Sequence, residues 1–179
     1  MNNGVVRFAV VGLGHIGRCH AAMIEHQEGA ELVALADPLF AEQPCDWPSH
    51  QEKAYESAKA MLAATGEQVD VVSICTPNGT HAELAMLAMN HRCHVVIEKP
   101  VALNSDDVRQ IQAVAKAQGV KVFGVMQNRY APAAQWLKQS MQDGLVGDVL
   151  QVHVQCLWNR DERYYQPGSW RGTMALDGG

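Results

Sequence analysis

The chain has 179 residues, 47% of them hydrophobic, and a formal net charge of -5 at neutral pH. That is enough apolar material for one domain core and part of a second, and it excludes a disordered chain. The absence of a sustained basic run argues against nucleic acid or an anionic membrane as the main partner, and no apolar stretch approaches the ~20 residues of a membrane span.

Taken in order, Arg7 to Val11 is a short apolar run that ends in glycines and reads as a buried first strand. Ile16 to Glu28 is helical in composition, and Glu31 to Ala36 is a second strand ending at Asp37-Pro38. Pro38, Pro44 and Pro48 allow only a short or broken helix between residues 38 and 52. Ser57 caps a helix over Ala58 to Thr65, with Met61 and Leu62 inward. The β-branched run Val69 to Cys75 predicts a central strand, broken by Thr76-Pro77-Asn78-Gly79. A helix over His81 to Asn90, a strand over His94 to Glu98, and a helix capped by Asn104 or Ser105 and ended by Gly119 follow. Lys121 to Val125 is a further strand.

Strands alternating with helices of this length predict a doubly wound α/β domain, a Rossmann-type parallel sheet covered on both faces. After Gln127 the character changes. A helix pattern runs from Ala131 to about Gln142, and Val149 to Leu157 alternates for nine residues, as a strand with one wetter face does. The boundary is expected near residues 125 to 130. Residues 1–126 form the first domain, and 127–179 the start of an α/β second domain with an open, mainly antiparallel sheet.

Gly12, Gly14 and Gly17 have G-x-G-x-x-G spacing, between a strand and a helix. The first permits a tight turn, the second lets backbone approach a pyrophosphate, and the third lets helix and strand pack closely. The helix N-terminus then offers free N–H groups to phosphates. Asp37, 20 residues past Gly17, suits a ribose diol and repels a 2′-phosphate, and no Arg or Lys lies between it and Gln51. The pattern therefore favours NAD over NADP.

Lys99, in Glu98-Lys99-Pro100, lies past the carboxyl end of a parallel strand, where such sheets bind ligands. Partial desolvation there would suit its ammonium to proton transfer. The alternative is a solvated lysine paired with Glu98. His91, Cys93 and His94 supply three candidate metal ligands, but their placement at the start of a buried strand favours a structural role. Cys19, Cys45, Cys75, Cys93 and Cys156 show no C-x-x-C spacing and read as reduced thiols, and no basic-then-apolar leader opens the chain. Both observations point to the cytoplasm.

The sequence G-x-G-x-x-G-x-x-H from Gly12 to His20, I-C-T-P-N-x-x-H from Ile74 to His81 and H-V-x-x-E-K-P from His94 to Pro100 resembles the glucose-fructose oxidoreductase / inositol dehydrogenase / MocA family. The resemblance implies that Lys99 assists proton removal from the sugar hydroxyl being oxidised. It also implies that Thr76, Pro77 and Asn78 line the nicotinamide side and that Glu98 lies near the nicotinamide ribose or amide. His15, Ile16, His81 and Gln127 join the cofactor contacts on the same basis, with the start of a helix as the alternative role for His81. His20 matches a family position with a packing or hydrogen-bonding role.

Gln127-Asn128-Arg129, Leu157-Trp158-Asn159-Arg160, Tyr164-Tyr165, Trp170-Arg171-Gly172 and Asp177-Gly178-Gly179 are similar to the UDP-N-acetylglucosaminuronate 3-dehydrogenase branch. This implies an NAD-dependent enzyme of surface-polysaccharide nucleotide-sugar synthesis that oxidises C3 of the sugar. Asn128 would bond a ring hydroxyl. Arg129, Arg160 and Arg163 would meet anionic groups, with Tyr164 and Tyr165 beside the substrate, and Trp170-Arg171 would reach the cofactor. Packing is the alternative role for the aromatic residues. Another sugar, an inositol, or a non-catalytic NAD-binding regulator is the alternative function.

Two departures from the family pattern stand out. The proline-bearing stretch from Pro38 to Lys53 replaces a regular helix. The histidine and aspartate that follow D-G-G in the family would lie past Gly179, as would most of the second sheet and its oligomer interface. The chain is thus expected to be a shortened form, inactive by itself, of a protein that is a dimer or tetramer at full length.

Overall fold

A computed structural model describes residues 4–47 and 50–179. Pro48, expected to help break a helix, and residues 1–3, where no leader was expected, lie outside them. The described chain divides into two compact units, one running up to Val125 and taking in Gly172–Gly179, the other Met126–Arg171. The sequence suggested a second domain over 127–179. Its last eight residues instead pack with the first unit, for reasons given with the site below.

The first unit is built on six parallel strands: β1 (Val6–Val11), β2 (Ala30–Ala36), β3 (Ala54–Tyr55), β4 (Val71–Ile74), β5 (His94–Ile97) and β6 (Val122–Gly124). Their order across the sheet is β3-β2-β1-β4-β5-β6. The chain therefore winds outward from β1 in one direction and returns to wind outward in the other. The crevice between the carboxyl ends of β1 and β4 is the switch point, where open α/β sheets bind ligands.

Helices α1 (His15–His26), α2 (Ala58–Thr65), α3 (His81–Asn90) and α4 (Ser105–Gln118) cover the sheet. Ser57 Oγ accepts from Ala60 N at 3.1 Å and Asn104 Oδ1 accepts from Asp107 N at 2.8 Å, so α2 and α4 start where their caps predict. Gly119 closes α4 at φ 68°. One sheet face buries Val11, Met61, Val72, Ile74, Met89, Val95, Ile97 and Ile111 beneath α2, α3 and α4. The other buries Val10, Ala21, Ile24, Leu32, Leu35 and Cys75 around α1. Leu32 and Leu35 share that face although they are an odd number of residues apart. The register between β1 and β2 slips between Phe8 and Ala9, leaving Val33 as an extra residue that inverts the alternation.

The proline-bearing stretch forms no full helix, only 3-10 turns at Pro38–Ala41 and Gln51–Lys53. The second unit contains a 3-10 turn at Gln127–Tyr130 and helix α5 (Pro132–Gln142), with proline in its first turn. Here an expectation is corrected. Residues 149–157 form no strand, and among the described residues the second unit has no sheet. A strand needs a neighbour for its N–H and C=O groups, and alternation cannot supply one. Leu150, Val152 and Val154 accordingly stand exposed, at 94%, 72% and 83% of full accessibility.

Candidate functional site

Gly12 follows β1 at φ 88°, and its N–H donates to Ala36 O at 2.8 Å. A β-carbon there would lie 2.7 Å from Cys75 O, at the end of β4. A β-carbon on Gly17 would lie 1.8 Å from Gly12 O, so no other residue lets α1 pack this close. Gly14 differs, because a β-carbon on it would meet nothing within 4 Å. It is the N-cap of α1, with no side-chain cap, and Gly14, His15 and Ile16 are exposed. The first turn thus keeps open backbone donors under a surface that another molecule can approach, the setting a pyrophosphate needs.

Asp37 follows β2 directly, with its side chain almost buried. Its Oδ2 accepts from Leu13 N at 2.6 Å and its Oδ1 from Leu39 N at 2.9 Å. Each carboxylate oxygen retains a further lone pair for a hydroxyl. A cavity of about 100 Å³ opens beside it, lined also by Leu13, Arg18, Phe40 and Asp46. No Arg or Lys lies between Asp37 and Gln51, but α1 brings Arg18 to this wall.

At the other half of the edge, Thr76, Pro77 and Asn78 leave β4 and Lys99 leaves β5. His81 joins these two turns. It is fully buried, with Nδ1 2.7 Å from Pro100 O and Nε2 2.9 Å from Thr76 O. It therefore holds the loops together and offers no free ring edge to a ligand. Asn78 Nδ2 donates to Asp177 Oδ1 at 2.9 Å, Gly79 N donates to Leu176 O at 2.9 Å, and Asp177 Oδ2 accepts from Gly172 N at 2.7 Å. These bonds bring residues 172–179 back to the first unit.

Glu98 is buried, and its carboxylate meets His20 Nε2 at 3.0 Å and Lys99 N at 3.3 Å. The other ring nitrogen of His20 lies 2.6 Å from Ser73 Oγ. The alternative ion pair between Glu98 and Lys99 is absent. Lys99 is exposed and its side chain makes no hydrogen bond or ion pair among the described residues. The Lys99–Pro100 bond is cis.

In the second unit Gln127, Asn128 and Arg129 sit exposed on one 3-10 turn. Arg160 lies over the rings of Trp158 (4.5 Å) and Tyr164 (4.1 Å), and Arg171 over Tyr164 (4.8 Å) and Trp170 (4.9 Å). Tyr165 meets Tyr164 edge-on with ring centres 5.0 Å apart. Arg163, expected to meet an anionic ligand, is instead paired with Asp161, its Nε donating at 2.8 Å.

No cluster of three or more metal-ligating side chains occurs among the described residues. His91 Nδ1 lies against Leu87 O, Cys93 Sγ donates to Val69 O, and His94 Nδ1 accepts from Lys121 N. Burial pushes the Cys75 thiol up to about 12 and the Cys93 thiol up to about 11, as expected of inert core cysteines. No described helix is long and apolar enough to cross a membrane.

Comparison with known proteins agrees with this geometry. The WlbA dehydrogenase of Chromobacterium violaceum, solved with NADH and UDP-GlcNAcA, superposes with a TM-score of 0.87 at 30% identity, over 99% of this chain and 51% of that one. The Bordetella pertussis WlbA dehydrogenase, solved with the same two ligands, gives 0.85 at 31% identity, over 97% and 53%. D-glucoside 3-dehydrogenase of Escherichia coli K12 is 28% identical over 151 residues, 83% of this chain and 42% of its own. The chain thus spans about half the length of these relatives. Residues 6–126 match the oxidoreductase family model with the NAD-binding Rossmann fold, and the chain belongs to that Gfo/Idh/MocA family.

Proposed function

We propose that this chain is the cofactor-bearing half of an NAD-dependent sugar dehydrogenase that oxidises C3 of a UDP-N-acetylhexosaminuronate. The observation that carries the reading is Lys99. It is an unpaired, exposed ammonium two residues past β5, on the same sheet edge as the glycine turn and the Thr76-Pro77-Asn78 loop. Bound NAD supplies the hydride acceptor. Lys99 hydrogen-bonds the hydroxyl at the reacting carbon and assists loss of its proton. Buried Glu98, held by His20, fixes the backbone from which Lys99 projects.

The choice of sugar is supported by the likeness to the two WlbA dehydrogenases and by the second unit's cations. Arg129 and Arg160 suit a carboxylated, phosphorylated ligand, and Asn128 suits a ring hydroxyl. In this reading Gln127, Trp170 and Arg171 complete the cofactor contacts, Tyr164 and Tyr165 flank the substrate, and the protein serves surface-polysaccharide synthesis in the cytoplasm as a homo-oligomer. The likeness to D-glucoside 3-dehydrogenase favours a second reading, an unactivated sugar or an inositol. Turnover of the full-length gene product on UDP-sugars, free glycosides and inositols separates the two.

The role of Lys99 is tested in the same full-length protein. Lys99→Ala lowers kcat by roughly a hundredfold or more while changing NADH affinity less than about threefold. An equal loss of both would overturn the assignment.

A further inference from the structure

Arg18, one residue past the last glycine of the turn, lines the cavity beside Asp37. Its Nε donates to Leu13 O at 3.1 Å, and its Nη2 donates to both oxygens of Asp46, at 2.8 and 3.0 Å. Leu13 thereby joins the two charged groups, because its N–H is the donor to Asp37 Oδ2. Asp46 belongs to the irregular stretch between β2 and β3. The cavity wall holds one guanidinium and two carboxylates, with the guanidinium engaged.

The place is significant for a dinucleotide. In a doubly wound fold, the carboxylate at the end of the second strand receives the adenosine ribose hydroxyls, and an arginine nearby accommodates a 2′-phosphate. Arg18 provides that arginine. A free guanidinium would bind a phosphate dianion through two parallel hydrogen bonds. Asp46 engages Nη2, the nitrogen common to both bidentate faces of the guanidinium, Leu13 O engages Nε, and Asp46 adds a negative charge of its own. The pair is open to solvent, with Arg18 44% and Asp46 67% exposed, so it adds little to folding. Its consequence falls on what enters the cavity.

We propose that the Arg18–Asp46 pair is a second determinant of dinucleotide choice. Asp46 holds in check an arginine that would otherwise take the 2′-phosphate of NADP, and exclusion of NADP rests on this pair as well as on Asp37. The inference rests on the cofactor fold and is independent of the sugar substrate.

The test is a fluorescence titration of the chain with NADH and with NADPH, at low salt and at about 0.15 M salt. Asp46→Asn is expected to shift the affinity ratio roughly tenfold toward NADPH, with the gain shrinking as salt rises. Arg18→Met alone, which leaves Asp46 unpaired, moves the ratio away from NADPH. In the double variant the Asp46→Asn gain disappears. Melting curves confirm that each variant is folded, and Asp46→Ala replaces Asp46→Asn if the amide disturbs the loop. A ratio within twofold of the parent in the Asp46 variants would overturn the proposal. So would a gain that survives in the double variant, or a rise in NADPH affinity with Arg18→Met.

Discussion

At Gly17 the steric conflict of an added β-carbon is with backbone, which cannot swing aside as a side chain can. Gly17→Ala is therefore expected to displace α1, lowering the melting temperature and NADH affinity together. Gly14→Ala has open space instead, and if the turn cradles a pyrophosphate the added methyl intrudes on it. It is expected to cut NADH affinity about tenfold or more while the melting temperature stays within about 2 °C. Calorimetry and NADH titration of both variants check this, and a melting loss in Gly14→Ala equal to that in Gly17→Ala would contradict the division of roles. These glycines and Asp37 are legible in sequence because their task depends on local spacing. The partnership of His20 with Glu98 and Ser73 is not, since its members lie 78 and 53 residues apart. The same holds for Arg18 and Asp46, which meet only because a loop without helical periodicity folds back on α1.

Helices α2, α3 and α4 were readable because each carries its own boundary signals: Ser57 before α2, the Thr76-Pro77-Asn78 break before α3, Asn104 and Gly119 around α4. Ser57→Ala is expected to cost about 1 kcal/mol, the usual worth of an N-cap. Urea unfolding would show this as a lower midpoint at unchanged slope. Elements that depend on a partner were less readable. The strand β3 is two residues long and exists because Leu35 and Ala36 offer a pairing edge. The run from Val149 to Leu157 has the opposite fate, an alternating pattern with no neighbour to pair with.

Across the whole first unit, the sheet is fastened at the end remote from the cofactor by Arg7 and Asp70. The guanidinium grips the carboxylate at 2.7 and 3.0 Å, and Arg7 N adds a third bond at 2.8 Å, tying the start of β1 to the entry of β4. Hydrogen bonding from the Arg7 side chain, reinforced by its backbone N–H, holds the Asp70 carboxyl below the usual carboxylate range. A carboxyl lowered in the folded state stabilises the protein above its unfolded value near ~3.9, and that stability is lost as pH falls through the lowered value. The parent should therefore melt above Asp70→Asn at pH 7, and the gap should close progressively below about pH 4. A gap independent of pH in melting curves would show that the carboxylate's charge is not what fastens the sheet.

The bonds between Asn78 and Asp177 bear on the order in which the molecule is completed. They span 99 residues, and the whole of Met126–Arg171 lies within that interval. On the ribosome, every strand and covering helix of the first unit has emerged long before Asp177 is made. During that interval the Thr76-Pro77-Asn78 loop lacks its latch. The Thr76-Pro77-Asn78 loop is therefore the last part of the first unit to be fastened during synthesis, after the glycine turn and the sheet are complete.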